Sequence, residues 1–157
     1  MKLLILGVSM LLCLNVSSQE GTLRLHGRME SNGKMIPGVS IEVIKDNQII
    51  YEGKTDEKGN YKLDLELGSV YNIAFIKDGY VTKQVGVIAI HPEAELTKNY
   101  AFQLDLELFE EDSDTPDDTM LPPVAKLYIK DVNKGFTYDK KYVKWVATEF
   151  QGVQSND

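Results

Sequence analysis

The chain has 157 residues, of which 43% are hydrophobic, and this is enough for one domain with a buried core and a short extension. Its formal net charge of −7 argues against binding to nucleic acid or to anionic membrane surfaces, because both attract basic proteins. The single cysteine, Cys13, excludes a disulfide within the chain.

The N-terminal segment 1–18 has the pattern of a secretory signal peptide. Lys2 supplies a basic start, and the apolar run at 3–14 is too short to anchor the chain stably across a bilayer. Val16 and Ser18 are permissive residues at the two positions that a signal peptidase reads, so we expect cleavage before the residue that follows.

Two other interpretations of this segment stay open. One is a lipoprotein signal that ends at Cys13, which the large Leu12 disfavours, and the other is a buried N-terminal helix. The signal-peptide interpretation predicts an exported protein, periplasmic, at the cell surface or secreted. It also predicts no stable membrane span once the signal is removed.

Alternation of apolar and polar residues predicts β-strands along most of the chain that follows. A helix would need apolar spacings of three and four residues, whereas here the spacing is two. The one run that is nearly continuously apolar, 70–76, is typical of a central strand covered on both faces. The predicted strands are 22–29, 39–43, 49–51, 61–67, 70–76, 80–89 and 100–108. Short strands separated by turn residues favour a two-sheet sandwich.

The segment from Thr22 to Leu108 resembles the carboxypeptidase regulatory-like domain. That family has a transthyretin-like (prealbumin-like) sandwich and is related to the Cna-B repeats of bacterial surface proteins. The matching pieces are Gly27-Arg28, Ile36-Pro37-Gly38-Val39, Thr55-Asp56, Gly59-Asn60-Tyr61, Gly68, Tyr71-Asn72-Ile73 and Lys77-Asp78-Gly79-Tyr80. The resemblance implies an all-β, immunoglobulin-like Greek-key sandwich of about seven strands. It also implies a non-catalytic module attached to very different proteins.

Lys83 interrupts the apolar phase of the strand predicted at 80–89. Val81, Val85 and Val87 share that phase, so the lysine stands where an inward-facing residue is expected. We expect its aliphatic stem to lie along the sheet edge, with the ammonium in water.

The C-terminal third changes character. Residues 110–119 hold six acids, which predicts a solvated linker. Beyond it we expect a hairpin between Ala125–Ile129 and Gly135–Tyr138, then a helix at Lys140–Phe150 capped by Asp139. One face of that helix carries Tyr142, Trp145, Val146 and Glu149.

The chain therefore divides into four predicted parts. They are a signal peptide at 1–18, a β-sandwich at 19–109, an acidic linker at 110–121 and a C-terminal extension at 122–157. The Pro-Val-Ala-Lys and Tyr-Asp-Lys-x-Tyr runs of the extension resemble segments of exported Bacteroidota proteins.

No group of residues has the spacing of a catalytic or metal site. His26 and His91 lack a glutamate three residues later, which the zinc carboxypeptidases require. The chain end lacks the Tyr-Arg-Gly-Ser of the transthyretin-like hydrolase, and the first strand has no lysine for a Cna-B isopeptide bond. The acids of 112–118 lack the glycine and distal glutamate of a calcium loop. We therefore predict no enzyme, no metal and no cofactor.

The aromatic residues of the extension are the candidate contact residues for a partner or ligand. They are Tyr128, Phe136, Tyr138, Tyr142 and Trp145. They either pack on the sandwich and complete its core, or stay exposed and dock a partner. The first hypothesis is a cell-envelope interaction or structural module that presents a β-sandwich to a protein partner. The alternative is a carbohydrate- or peptide-binding module that uses these aromatics.

Overall fold

The computed structural model describes residues 21–90, 97–111 and 121–150, so the predicted signal peptide, His91 and most of the acidic segment lie outside the described residues. The described residues form two facing β-sheets, here called sheet A and sheet B, and one helix. Sheet A contains β1 (Thr22–Ser31), β2 (Lys34–Met35), β5 (Asn60–Glu66), β8 (Tyr100–Gln103) and β9 (Leu106–Glu107). Sheet B contains β3 (Ser40–Lys45), β4 (Gln48–Lys54), β6 (Val70–Ile76), β7 (Lys83–Ile88), β10 (Ala125–Asp131) and β11 (Gly135–Tyr138). The helix α1 spans Lys140–Glu149.

Sheet A is built around β1. Strand β5 pairs with it antiparallel on one side, in a register that places Leu25 opposite Leu63. Strands β8 and β9 pair with β1 in parallel, and β2 pairs with its end antiparallel. Sheet B has the order β11-β10-β7-β6-β3-β4, in which β10 runs parallel to β7 and the other neighbours are antiparallel. The predicted all-β sandwich is confirmed.

The core lies between the two sheets and is made by the inward phase of each strand. In β1 and β5 every second residue is buried, as the period of two requires. The ring of Tyr61 on β5 meets that of Phe75 on β6 edge to face, with centroids 5.2 Å apart. The largest fully buried side chains are Phe75, Leu23, Leu25, Met29, Ile41, Ile73, Leu108 and Leu127.

The C-terminal hairpin is part of sheet B. β10 pairs with β7 in a register that sets Leu127 opposite Val87, and β11 pairs with β10. Leu127, Ile129 and Phe136 are buried in the common core. The hairpin predicted from the sequence is therefore present, and it completes the sandwich. The predicted domain boundaries, including the linker at 110–121, stay predictions.

The long strand predicted at 100–108 is interrupted. The structure has β8 and β9 instead, with Leu104 and Asp105 outside both strands. At the break the Asp105 carboxylate accepts a hydrogen bond from the backbone N–H of Arg28 at 2.9 Å, in place of a strand carbonyl. The in–out alternation persists across the break, since Phe102, Leu104 and Leu106 all pack partly buried against the core.

Candidate functional site

Helix α1 begins at Lys140 with Asp139 as its N-cap, as predicted. The Asp139 carboxylate accepts hydrogen bonds from the backbone N–H groups of Lys141 and Tyr142, both at 3.0 Å, and so satisfies two donors that the first turn leaves free. The backbone N–H of Asp139 donates to the Lys126 carbonyl at 3.1 Å. These bonds fix the start of the helix beside the outer end of β10.

Helix α1 packs on the sandwich through its valines. Val146 is buried and Val143 packs partly buried against the core, whereas Trp145 and Glu149 are exposed. Of the four residues on the predicted helix face, Val146 is thus buried, Tyr142 is half-buried, and Trp145 and Glu149 are exposed. The Trp145 side chain points away from the core, whereas Tyr142 and Phe150 are half-buried.

The outward side of α1 carries an aromatic cluster, which we call the α1 surface and define by Tyr142, Trp145, Phe150 and Lys126. The Tyr142 and Trp145 ring centroids are 5.7 Å apart, and those of Trp145 and Phe150 are 6.0 Å apart. The Lys126 ammonium lies 4.0 Å from the Tyr142 ring centroid, within the range of a cation–π contact. Partial burial raises the pKa of the Tyr142 phenol above its usual value. Trp145 keeps 48% of its surface exposed.

The other three candidate contact residues lie elsewhere. Phe136 is 8% exposed and meets Tyr100 edge to face at 5.7 Å, so it belongs to the core. Tyr128 points out from the outer face of β10, and Tyr138 lies on the inner phase of β11. The five residues therefore do not form one site, and only Tyr142 and Trp145 contact each other.

A concave surface, which we call the Lys83 groove, opens between the sheets beside α1. Its volume is about 400 Å³. The residues that line it are Lys83, Phe102, Gln103, Leu104, Asp105, Leu106, Val124, Ala125, Tyr138, Val143 and Ala147. One wall comes from the interrupted edge of sheet A and the other from sheet B and the helix.

The expectation for Lys83 is wrong. Its side chain does not lie in water: it is 8% exposed and points inward in the phase of Val85 and Val87. Its ammonium lies 4.1 Å from the ring centroid of Phe109. Phe109 is held there because its carbonyl accepts a hydrogen bond from the Val81 N–H at 2.9 Å. Burial lowers the pKa of the Lys83 ammonium to about 8, against a smaller rise caused by the Glu107 carboxylate.

Alternation alone was the signal that could have placed Lys83 correctly. Residues 81, 83, 85 and 87 have one parity, and a strand sends one parity to one face. The general rule that lysine stays exposed overrode that signal. In the structure Lys83 faces inward with the rest of its phase, because Val85 and Val87 fix which face of β7 is inward.

No group of three or more His, Cys, Asp or Glu side chains in the described part of the chain is placed to hold a metal ion. The acids of 112–118 and His91 lie outside that part, and His26 is on the exposed phase of β1. The described residues also include no helix with the length and hydrophobicity needed to cross a bilayer.

Comparisons with known proteins give similar structures but no family. No protein-family model matches the sequence, and no curated protein matches it. The Bacillus anthracis TIE protein is 18% identical over 57% of this chain and 18% of its own, with a TM-score of 0.42. The 3-chlorocatechol 1,2-dioxygenase of Rhodococcus opacus is 11% identical over 60% of this chain and 62% of its own, with a TM-score of 0.45. A DUF3823 family protein of Parabacteroides merdae is 18% identical over 58% of this chain and 47% of its own, with a TM-score of 0.39.

These similarities concern the fold. The matched regions amount to less than two thirds of the length of each of the three structures. The dioxygenase among them contradicts the prediction that the protein is not an enzyme, which was drawn partly from the resemblance to a non-catalytic module. A fold does not determine a function, so a β-sandwich by itself does not exclude catalysis.

Proposed function

We propose that the chain is an exported protein of the kind found in Bacteroidota, with a β-sandwich of the carboxypeptidase regulatory-like type. Its role is to dock a protein partner in the cell envelope. The motifs between Thr22 and Leu108 support the family, and the N-terminal pattern supports export. The α1 surface supports the docking role, because clustered exposed aromatic residues are enriched at protein interfaces.

The exposure of Trp145 carries this proposal. Its ring is 48% exposed although a buried position, that of Val146, is its neighbour in sequence. Tyr142 packs beside it, so a partner would meet an apolar area wider than one ring. Tryptophan and tyrosine are the residues that most often carry binding energy in interfaces.

The charges around this surface indicate the chemistry of the partner. Lys126, Lys140, Lys141 and Lys144 are exposed on α1 and the adjoining strand, in a chain whose net charge is −7. A partner surface with an apolar centre and an acidic rim would complement this arrangement.

A pull-down from envelope fractions of the producing cells tests the proposal when it compares three proteins. The wild type and Tyr51→Ala should retain the same partner, and Trp145→Ala should lose it. Tyr51 is a matched control because it is 46% exposed on β4, at the opposite edge of sheet B. Binding of the purified partner, measured by calorimetry, should weaken at least tenfold for Trp145→Ala. Equal retention by all three proteins contradicts the proposal.

Carbohydrate binding is the second candidate. The exposed indole of Trp145, inclined 43° to the Tyr142 ring, offers a flat apolar face on which the C–H side of a sugar ring can stack. A glycan panel read with wild type and Trp145→Ala tests it. Glycan binding that disappears in the variant supports this function, and no binding by the wild type removes it.

A further inference from the structure

The Lys83 groove holds a positive charge at an otherwise largely apolar wall. Sheet A contributes Phe102, Leu104 and Leu106, and α1 contributes Val143 and Ala147. Volumes of this order are typical of small-molecule sites, which are mostly apolar with a few polar groups that fix orientation. The polar groups here are Gln103, Asp105, the Tyr138 hydroxyl and the ammonium of Lys83, a residue that is 8% exposed.

This ammonium has no anionic partner among the described residues. The ion pairs there are Arg24–Asp64 and Arg28–Asp105, and neither involves Lys83. Within the described ranges the Lys83 ammonium lies over the face of the Phe109 ring and takes part in neither ion pair. A buried charge without a hydrogen-bonded counter-ion destabilises the fold, so an anion that reached it would be bound favourably.

The acids near the groove leave room for one anion of low charge. Asp105 is compensated already: its carboxylate accepts hydrogen bonds from the Arg28 N–H at 2.9 Å and from the Gln103 amide at 3.0 Å, and it pairs with the Arg28 guanidinium. Glu107 is exposed on β9 and acts on the ammonium only through its field. A phosphate would bring about two negative charges to one ammonium, whereas a single carboxylate matches the one charge of Lys83.

We propose that the Lys83 groove binds a small monocarboxylate with an apolar tail, its carboxylate against the Lys83 ammonium and its tail along Phe102, Leu106 and Val143. A polar tail in this position would leave its hydrogen-bonding groups against the apolar side chains of Phe102, Leu106 and Val143, which offer no partner. The site is separate from the α1 surface, so the inference does not depend on partner docking.

Octanoate is a suitable probe, with octan-1-ol and octylammonium as tail-matched comparators. Titrations at pH 7 can be followed by calorimetry and by the fluorescence of Trp145, the only tryptophan of the chain, which lies on the helix that forms part of the groove. We expect saturable binding of octanoate, binding of octanol weaker by roughly tenfold or more, and no binding of octylammonium. Octanol that binds as tightly as octanoate, or no saturable binding of octanoate, overturns the proposal.

Two variants locate the site. Lys83→Met removes the charge and keeps a long apolar side chain, so the affinity for octanoate should fall to that for octanol. Ala147→Phe should fill the groove and weaken both ligands, which keeps the test decisive if the first variant folds poorly. The control Lys62→Met changes an exposed lysine on β5 and should bind octanoate as the wild type does. Unchanged octanoate affinity in Lys83→Met or in Ala147→Phe contradicts the assignment.

Discussion

A Cβ atom placed on Gly27 would lie 1.8 Å from the carbonyl oxygen of Leu104. The two backbones approach this closely where β8 ends, and two hydrogen bonds hold the contact. The Leu104 N–H donates to the His26 carbonyl at 2.9 Å, and the Leu104 carbonyl accepts a hydrogen bond from the Tyr61 hydroxyl at 2.7 Å. Only glycine fits at position 27, because the atom that a side chain would meet is backbone fixed by these bonds.

The variant Gly27→Ala should therefore destabilise the protein strongly. We expect the free energy of unfolding to fall by about 3 kcal/mol or more, at the upper end of what overpacking costs, because the neighbouring backbone must move. Urea unfolding followed by circular dichroism measures it.

Gly86→Ala is the matched control. Gly86 also lies within a sheet, but the atom nearest to an added Cβ would be 3.7 Å away, at ordinary contact distance. Its free energy of unfolding should stay within about 0.5 kcal/mol of the wild type. Equal effects of the two substitutions would contradict the role given to the Gly27–Leu104 contact.

The same contact explains why the strand predicted as continuous at 100–108 is interrupted in the structure. Alternation places Phe102 and Leu106 on the right face, and the structure agrees. The break at Leu104 arises from a non-local approach by Gly27, and periodicity carries no information about contacts between distant segments. Local patterns thus predicted which residues face the core but not where the ladder is interrupted.

In the candidate site, too, the features set by neighbouring residues were predictable and those set by distant segments were not. The cap at Asp139 and the helix after it depend on neighbouring residues, so the sequence was sufficient to predict both. Which helix face packs inward depends on how β10 pairs with β7, a parallel pairing between distant segments. Tyr138 illustrates this: it shares the inner phase of β11 with Phe136, yet it is 40% exposed because it borders the Lys83 groove.

The packing of α1 can be tested with two substitutions on adjacent residues. Val146→Ala removes two buried carbon atoms and should lower the free energy of unfolding by about 1–2 kcal/mol, through lost apolar burial and the cavity left behind. Trp145→Ala should cost less than about 1 kcal/mol, because nearly half of that side chain is already in water. Urea unfolding of both variants measures the difference, and a larger loss for Trp145→Ala would contradict the packing of α1 through Val146.

The cap of α1 should contribute measurably to stability. Asp139→Ala removes the acceptor for the N–H groups of Lys141 and Tyr142, and we expect a loss of about 1 kcal/mol. Asp139→Asn keeps an acceptor oxygen at the same position and should lose about half as much or less. Thermal unfolding of the two variants measures this, and identical melting temperatures for Asp139→Ala and wild type would contradict the capping role.

The buried ammonium of Lys83 should make stability depend on alkaline pH. Its pKa is about 8 in the folded protein and 10.5 when unperturbed, so below pH 8 the folded state carries the cost of the buried charge. Between these values the unfolded chain binds more protons than the folded one, so the stability contributed at this site rises with pH. On the scale of 1.36 kcal/mol per pKa unit, the whole effect is about 3 kcal/mol.

Lys83→Met isolates this effect. The variant has no charge to bury, so we expect it to be more stable than the wild type at pH 7, with an advantage that shrinks as the pH rises to 10. Burial also raises the pKa of the Tyr61 phenol, so the protein becomes less stable as this tyrosine ionises in the unfolded chain near pH 10. This loss is the same in the wild type and in Lys83→Met. Lys62→Met, at an exposed lysine, should follow the wild type at every pH. A stability difference between Lys83→Met and wild type that does not change from pH 7 to pH 10 would show that the Lys83 ammonium is not held in a desolvated position.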